Sequence, residues 1–108
     1  CAILDDGFLK CWGRNWYGQL GRGDNSTIGR YGDDMGNALP IVDMGDEPGY
    51  NHTVKMVSAG QFHTCAILDD DTLKCWGQNL YGQLGVGDNM TRGDDPYEMG
   101  VNLTYVDL

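Results

Sequence analysis

A gap-free internal repeat constrains the fold more than any other feature of this chain. Residues 1–44 align with residues 65–108 at a constant offset of 64, and 27 of the 44 aligned positions are identical. Self-similarity of this kind predicts one supersecondary unit used twice. Residues 45–64 complete the first period and lead into the second copy. We therefore expect a first repeat over 1–44, lacking its leading strand, and a second over 45–108, both parts of a longer tandem array.

Composition indicates that the repeated unit is all-β. The 108 residues include seventeen Gly, six Tyr and three Trp, which favour short strands joined by tight turns. No stretch of a dozen residues places apolar side chains at helical spacing. Sixteen acidic residues against seven basic ones give a net charge of −9, which disfavours binding to nucleic acids or anionic membranes. No apolar run is long enough for membrane insertion.

Each repeat begins with a predicted β-hairpin. Residues 2–4 and 8–10 are short apolar runs around the turn Asp5-Asp6-Gly7, where Gly suits a left-handed conformation. This register places Cys1 opposite Cys11 at a non-hydrogen-bonded position, where side chains approach closely. In the second repeat Asp71 replaces the turn Gly7. Asp tolerates left-handed backbone better than most residues, so the turn is expected to persist.

Three further strands are predicted outside the hairpins. Residues 54–57 form an apolar run before Ser58-Ala59-Gly60, and residues 39–42 and 103–106 occupy equivalent positions in the two repeats. Between these runs, glycines recur every few residues around single aromatic side chains, which indicates tight bends and close backbone approach rather than helix. The expected unit is thus a small antiparallel sheet with long Gly-rich loops.

The four cysteines form two pairs with identical spacing, Cys1 with Cys11 and Cys65 with Cys75. The hairpin register predicts a disulfide within each pair. In the chain-entropy model, closing a loop of this length stabilises the fold by about 2.5–3 kcal/mol. A four-cysteine zinc site and four buried thiols are the alternatives, and the ten-residue separation fits structural zinc poorly. Disulfides favour a secreted or cell-surface location.

Four acceptor sequences for N-linked glycans support the same location. Each follows the pattern Asn-x-Ser/Thr without proline, at Asn25, Asn51, Asn89 and Asn102. Asn25 and Asn89 occupy the same repeat position after Gly-Asp. Asn51 follows the loop Pro48-Gly49-Tyr50, and Asn102 adjoins a predicted strand. The alternative is that these asparagines serve as turn residues that bond the local backbone.

The ordered motif of the second repeat resembles a known family. Ala59-Gly60, His63-Thr64, Cys65-Ala66-Ile67-Leu68, Leu73-Lys74-Cys75-Trp76-Gly77, Asn79, Tyr81-Gly82-Gln83-Leu84-Gly85 and Gly87-Asp88 are similar to the repeat of the regulator of chromosome condensation. The resemblance implies tandem blades of a β-propeller, which in this family usually has seven. The founding nuclear protein exchanges nucleotide on a small GTPase and binds chromatin, but no residue here carries either activity over. The cysteine pairs and glycan acceptors resemble secreted members instead.

Several other motifs are better explained as structure than as sites. Arg22-Gly23-Asp24 and Arg92-Gly93-Asp94 spell an integrin-type tripeptide, but the first aligns with Val86-Gly87-Asp88, so its Arg is incidental. Acidic clusters lack the spacing of a calcium loop and suit solvated turns. His52 and His63 accompany no recognisable nucleophile. Trp16, which is Leu80 in the other copy, is the best candidate for an exposed aromatic side chain.

These observations predict a non-enzymatic, extracellular structural module with no cofactor and no metal. Its partners would be neighbouring copies of the same repeat, in a propeller or a filament-like array that carries N-linked glycans. The alternative is a secreted propeller that binds a protein or a carbohydrate through its face loops. Repeats of this kind bury their faces only against neighbours, which favours the structural role.

Overall fold

The computed structural model describes residues 1–45 and 51–108 of the chain. These residues contain five strands in two antiparallel sheets, one ordered β1-β2 and the other β3-β4-β5. The strands are β1 Ala2–Ile3, β2 Leu9–Lys10, β3 Val54–Ala59, β4 His63–Leu68 and β5 Leu73–Gly77. Single 3-10 turns occur at Gly32–Asp34, Gly36–Ala38 and Gly100–Asn102. The described residues include no α-helix, which confirms the all-β prediction, and no helix among them could span a membrane.

The predicted hairpin register is confirmed in both repeats. Ile3 lies opposite Leu9 in the first hairpin, and Cys65 lies opposite Cys75 in the second. Gly7 has φ +84° in the first turn, and its replacement Asp71 has φ +68° in the second. Asp therefore occupies the left-handed region that glycine favours, as the sequence predicted.

The structure confirms one of the three additional strands and corrects the other two. β3 includes the predicted residues 54–57 and extends to Ala59. Residues 39–42 and 103–106 are not strands, because a 3-10 turn ends directly before each of them. Each segment meets its hairpin through a backbone hydrogen bond of 2.8 Å, donated by Val42 to Leu9 and by Val106 to Leu73.

One hydrophobic core connects the two repeats. Its buried members come from both: Leu9, Cys11, Leu20, Val42, Met44, Val54, Ala66, Leu68, Trp76 and Leu103. The backbone also joins them, since the N–H of Val54 donates to the carbonyl of Gly7 at 2.8 Å. A small unit with few apolar side chains gains stability by sharing its core in this way. The two repeats therefore pack as one body.

Candidate functional site

Each hairpin is closed by a disulfide. The bonds join Cys1 to Cys11 and Cys65 to Cys75, with Cα atoms 3.9 and 4.1 Å apart. All four cysteines are thus paired across the positions that the hairpin register predicted. A zinc site built from these cysteines does not form, because their sulfur atoms are bonded to one another.

The two repeats meet at the carbonyl oxygen of Gln19. This oxygen accepts a hydrogen bond from the indole Nε1 of Trp76 at 2.9 Å and another from Oγ1 of Thr64 at 2.8 Å. Trp76 is fully buried, and Thr64 and Gln19 are nearly so. Two side chains of the second repeat therefore recognise one main-chain group of the first, in surroundings where an unpaired polar atom would be costly.

A buried asparagine shapes the loop that presents this carbonyl. The side-chain oxygen of Asn15 accepts from the N–H of Leu20 at 2.9 Å, and its Nδ2 donates to the carbonyl of Asp24 at 2.9 Å. Asn79 makes the equivalent bonds in the second repeat, at 3.0 Å each. This role of the two asparagines was not predicted from the sequence, although their recurrence at the 64-residue offset, in a loop of glycines and apolar residues, was the signal for it.

We call residues 17–23 the insertion loop of the first repeat, because they enter the second repeat closely. A Cβ atom on Gly18, which has φ +73°, would lie 2.3 Å from the backbone nitrogen of Asp94. The N–H of Gly23 donates to the carbonyl of Gly93 at 3.0 Å. Only glycine permits this approach at position 18, since both the left-handed backbone and the lack of space exclude a side chain.

The equivalent loop of the second repeat, residues 81–87, has no such neighbour among the described residues. Tyr81 is 84% exposed, whereas the ring of its counterpart Tyr17 packs edge-on against Phe62 with centroids 4.9 Å apart. No atom comes within 4 Å of a Cβ placed on Gly82. Trp12, the counterpart of the buried Trp76, is 42% exposed. Among the residues that the structure describes, the insertion loop of the first repeat thus packs against the second repeat, whereas the equivalent loop of the second repeat and Trp12 of the first are exposed.

A buried lysine lies beside the junction. Nζ of Lys74 donates to the carbonyls of Met44 and Gly100 at 3.1 and 2.8 Å, and it lies 4.6 Å from the ring centroid of Tyr105. Burial lowers the pKa of Lys74 from its usual value, and the charge of Asp43 opposes this effect in part. Lys74 therefore acts as a hydrogen-bond donor that fixes two loops, rather than as a surface charge.

The four predicted glycan acceptors all have exposed side chains: Asn25, Asn51, Asn89 and Asn102. Asn102 lies in a 3-10 turn rather than at the start of a strand. The loop Pro48-Gly49-Tyr50 before Asn51 falls outside the described residues. Exposure makes attachment of a glycan sterically possible at each acceptor, and glycosylation itself stays a prediction.

Both integrin-type tripeptides have engaged arginines. Nε of Arg22 lies 3.5 Å from the carboxylate of Asp24, and most of the Arg22 side chain is buried. Nη2 of Arg92 lies 2.7 Å from the carboxylate of Asp88. Neither guanidinium extends into solvent in the manner of an adhesion loop, which agrees with the interpretation of these tripeptides as structural.

Two clusters of potential metal ligands occur in the described residues. One brings Nδ1 of His52 within 3.1 Å of the carboxylate of Asp69, with Asp70 nearby. The other contains Asp94, Asp95 and Glu98, where burial and the Glu98 carboxylate raise the pKa of Asp94. The carboxylate of Glu98 accepts from two backbone N–H groups, at 2.8 and 3.1 Å. The Glu98 carboxylate therefore stabilises the turn in which it lies.

Comparison with known proteins identifies the family. A regulator of chromosome condensation (RCC1) repeat model matches residues 6–67, and a second model of that repeat matches residues 54–83. The chain belongs to the RCC1 repeat family. The resemblance read from the motif is thereby confirmed, and so is the assignment of the hairpins and loops to propeller-type blades.

Its relatives are longer proteins. The chain is 35% identical over 91 residues to the ultraviolet-B receptor UVR8 of Arabidopsis thaliana, covering 84% of this chain and 18% of UVR8. It is 31% identical over 101 residues to human protein RCC2, covering 93% of this chain and 17% of RCC2. In a crystal structure with Kap60, yeast RCC1 (Prp20) matches with TM-score 0.55 and 25% identity, covering 95% of this chain and 19% of that one. The chain thus spans about a fifth of these relatives.

Proposed function

We propose that this chain is an extracellular scaffolding module whose blades stack on further RCC1 repeats. One observation carries the proposal. The insertion loop of the first repeat packs into the second repeat, whereas the equivalent loop at residues 81–87 lies beside open space. A large exposed side chain such as Tyr81, beside glycines with open space above them, suits a surface that another blade covers. Neighbouring copies are therefore the first expected partners.

The extracellular location is supported by covalent chemistry. Disulfides persist in oxidising compartments and are rare in the cytosol, and both hairpins contain one. The four exposed glycan acceptors fit a chain that passes through the secretory route. We expect N-linked glycans at Asn25, Asn51 and Asn89 to cover the surface around the stacked blades, whereas a glycan on Asn102 would obstruct the pocket between the repeats.

Protein binding is the second candidate. The yeast relative was crystallised with a protein partner, Kap60. A pocket between the two repeats in this chain offers one place for such a contact. Scaffolding and binding are compatible, since stacked blades supply the rigid framework on which loops are held.

Substitution of Tyr81 tests the stacking proposal. If a further blade covers Tyr81, Tyr81→Glu places a carboxylate in a buried interface and lowers the free energy of unfolding by about 2 kcal/mol or more. Met56→Glu is the matched control, because Met56 is 61% exposed and lies on β3 rather than in the loop of residues 81–87. Chemical denaturation measures both changes. Equal losses below about 0.5 kcal/mol would contradict stacking at this loop.

Electron microscopy of the secreted protein distinguishes the two forms of assembly. Discrete rings indicate a closed propeller, and fibres indicate an open array of blades. Particles of either kind would also show whether glycans project from the edges of the blades. A population of isolated two-blade units, with Tyr81 in solvent, would contradict the scaffolding role.

A further inference from the structure

A pocket of about 550 Å³ lies where the two repeats meet. Leu20 and Val42 of the first repeat and Met99 and Val101 of the second contribute apolar side chains to its lining. The pocket is therefore created by the packing of the repeats. Among the lining residues, all of which the structure describes, Arg22 is the only cation. Pockets that combine apolar walls with one well-placed charged group are typical binding sites.

The Arg22 guanidinium lacks the hydrogen bonds that its burial calls for. Its Nε and Nη1 atoms are buried and have no hydrogen-bond partner among residues 1–45 and 51–108, and the Asp24 carboxylate at 3.5 Å from Nε supplies only a long ion pair. Unsatisfied buried donors are rare in folded proteins, and a functional role is one of the explanations for them. The equivalent residue in the second repeat is Val86, so the repeat framework itself does not require a cation at this position.

Tyr97 adds a second unusual feature to the same pocket. Its side chain is 89% exposed, and its φ of +69° lies in the left-handed region. Pro96 precedes it. In turns with proline at the first central position and a positive φ at the second, the second position favours glycine. Residues that are held in strained backbone cluster at binding sites, and Tyr97 lies at the edge of this pocket.

We propose that this pocket binds the carboxylate of an acidic residue flanked by apolar side chains in a partner protein. The inference rests on the protein-binding function proposed above and names the class of partner. Arg22, whose side chain is 22% exposed, forms the charged contact through the accessible part of its guanidinium, for which this planar group is well suited. The apolar walls take the flanking side chains, and Tyr97 covers the peptide from the rim.

The negative charge of the chain does not oppose this contact strongly. Charges more than about 8 Å apart are largely screened at physiological salt, so the group that touches the ligand dominates. Asp43 also lines the pocket, and its carboxylate already accepts from the N–H of Gly45 at 2.9 Å. Asp43 disfavours a ligand that carries anionic groups alone. A peptide, whose N–H groups can approach Asp43 while its carboxylate approaches Arg22, fits better.

Two blocked tripeptides test the proposal. Acetyl-Leu-Glu-Leu-amide and its neutral analogue acetyl-Leu-Gln-Leu-amide differ only in the charge of the central side chain. The protein should be secreted into a bacterial periplasm, which forms disulfides without adding N-glycans, because Asn102 also lines the pocket. Nuclear magnetic resonance titration should show the Glu peptide binding at least about tenfold more tightly, the ratio expected for a hydrogen-bonded ion pair.

Arg22→Val is the decisive variant, since valine is the residue that the second repeat has at this position. It should fold normally and bind the two peptides equally. Arg14→Val is the control, because Arg14 stacks on the exposed Trp16 ring at 4.6 Å, outside the pocket lining. Arg14→Val should keep the preference for Glu. Loss of the preference in both variants, or its retention in Arg22→Val, would overturn the proposal.

A second variant separates binding from folding. Tyr97→Asn suits the left-handed backbone, so its melting temperature should be unchanged or higher, while the Glu peptide binds several-fold more weakly. Failure of both tripeptides to bind at millimolar concentration would overturn the pocket assignment. That outcome would not contradict the proposal that the protein binds partners through other loops. A pull-down with the full protein tests that proposal independently.

Discussion

Trp76 of the second repeat donates its indole N–H to the carbonyl oxygen of Gln19 in the first repeat, at 2.9 Å. The same oxygen accepts from Thr64, so neither partner alone satisfies the junction. Both donors are buried, and the loop that carries Gln19 is fixed by Asn15. The contact joins a tryptophan present in both copies of the repeat to a main-chain atom of the preceding copy, and a main-chain acceptor is independent of which side chain position 19 carries.

Removing both donors to Gln19 should cost more than the sum of the single changes. Trp76→Phe and Thr64→Val each leave one hydrogen bond to the carbonyl, and each should lower the free energy of unfolding by about 1–2 kcal/mol. The double variant leaves a buried acceptor unpaired, so a coupling of about 1 kcal/mol is expected. Denaturant titration of the four proteins measures it. Trp16→Phe, at a side chain 63% exposed, is a control expected to change little.

The two disulfides should restrict the unfolded chain equally, but they should differ in how readily a reductant reaches them in the folded protein. In each bond the two cysteines are 10 positions apart in the sequence. Closing a loop of this length stabilises the fold by about 2.5–3 kcal/mol in the chain-entropy model. Cys11 and Cys75 are both buried, but Cys1 is exposed whereas its counterpart Cys65 is partly buried. We therefore expect mild reductant to open the Cys1–Cys11 bond first. Alkylation followed by mass analysis reports the order, and simultaneous opening of the two bonds would contradict it.

Lys74 should make stability depend on alkaline pH. Its pKa is lower in the folded protein than the usual 10.5, because burial disfavours the charge. Between those two pKa values the unfolded chain binds more protons, so the free energy of unfolding rises with pH in this window. Lys74→Met should lack that rise and, at neutral pH, should lose about 2 kcal/mol from the two unpaired carbonyls.

Measurement of unfolding between pH 8 and 10.5 compares wild type with Lys74→Met, so that other titrating groups cancel. Lys10 occupies the equivalent position in the first repeat, where it is half-buried and donates to the carbonyl of Gly36 at 2.8 Å. Lys10→Met should cost less, about 1 kcal/mol, because the carbonyl it leaves can be solvated. Parallel pH curves for wild type and Lys74→Met would refute the role given to burial.

The two hairpin turns should respond oppositely to reciprocal substitutions. Asp71→Gly relieves the left-handed strain at φ +68° and should stabilise the fold by up to about 1 kcal/mol. The Lys55–Asp71 ion pair that it removes is exposed and contributes little. Gly7→Ala should destabilise, because its Cβ would lie 2.7 Å from Cβ of Thr53 and its φ is +84°. Thermal unfolding of both variants checks the two signs.

Treatment with an amidase that removes N-glycans should reduce the mass of the protein secreted from eukaryotic cells. Asn25→Gln and Asn89→Gln should each remove one glycan, because both side chains are exposed at the same position of the repeat. Their neighbours Asp24 and Asp88 bond the local backbone, so the turns should keep their shape. An unchanged mass after treatment would show that these asparagines serve only as turn residues.

The repeated hairpin was predictable because its signals are local. The short apolar runs, the Asp-rich turn and the matching Cys positions define the register by themselves, and the structure has that register. The segments at 39–42 and 103–106 were predicted wrongly as strands. Leu39, Val42 and Leu103 are buried, whereas Ile41 and Tyr105 are exposed. A 3-10 turn precedes each segment and one backbone hydrogen bond joins it to its hairpin, so further pairing depends on the neighbouring loops.

The sequence alone determined the repeat, its period, the β-rich composition and the pairing of cysteines, since each depends on residues close together in the chain or on direct self-comparison. Only the tertiary structure decided which atoms join the repeats. The burial of Asn15 and Lys74, the convergence of Trp76 and Thr64 on Gln19, and the pocket around Arg22 depend on how one repeat is placed against the next. That placement arises from packing between residues distant in sequence, which local propensity and residue spacing do not specify.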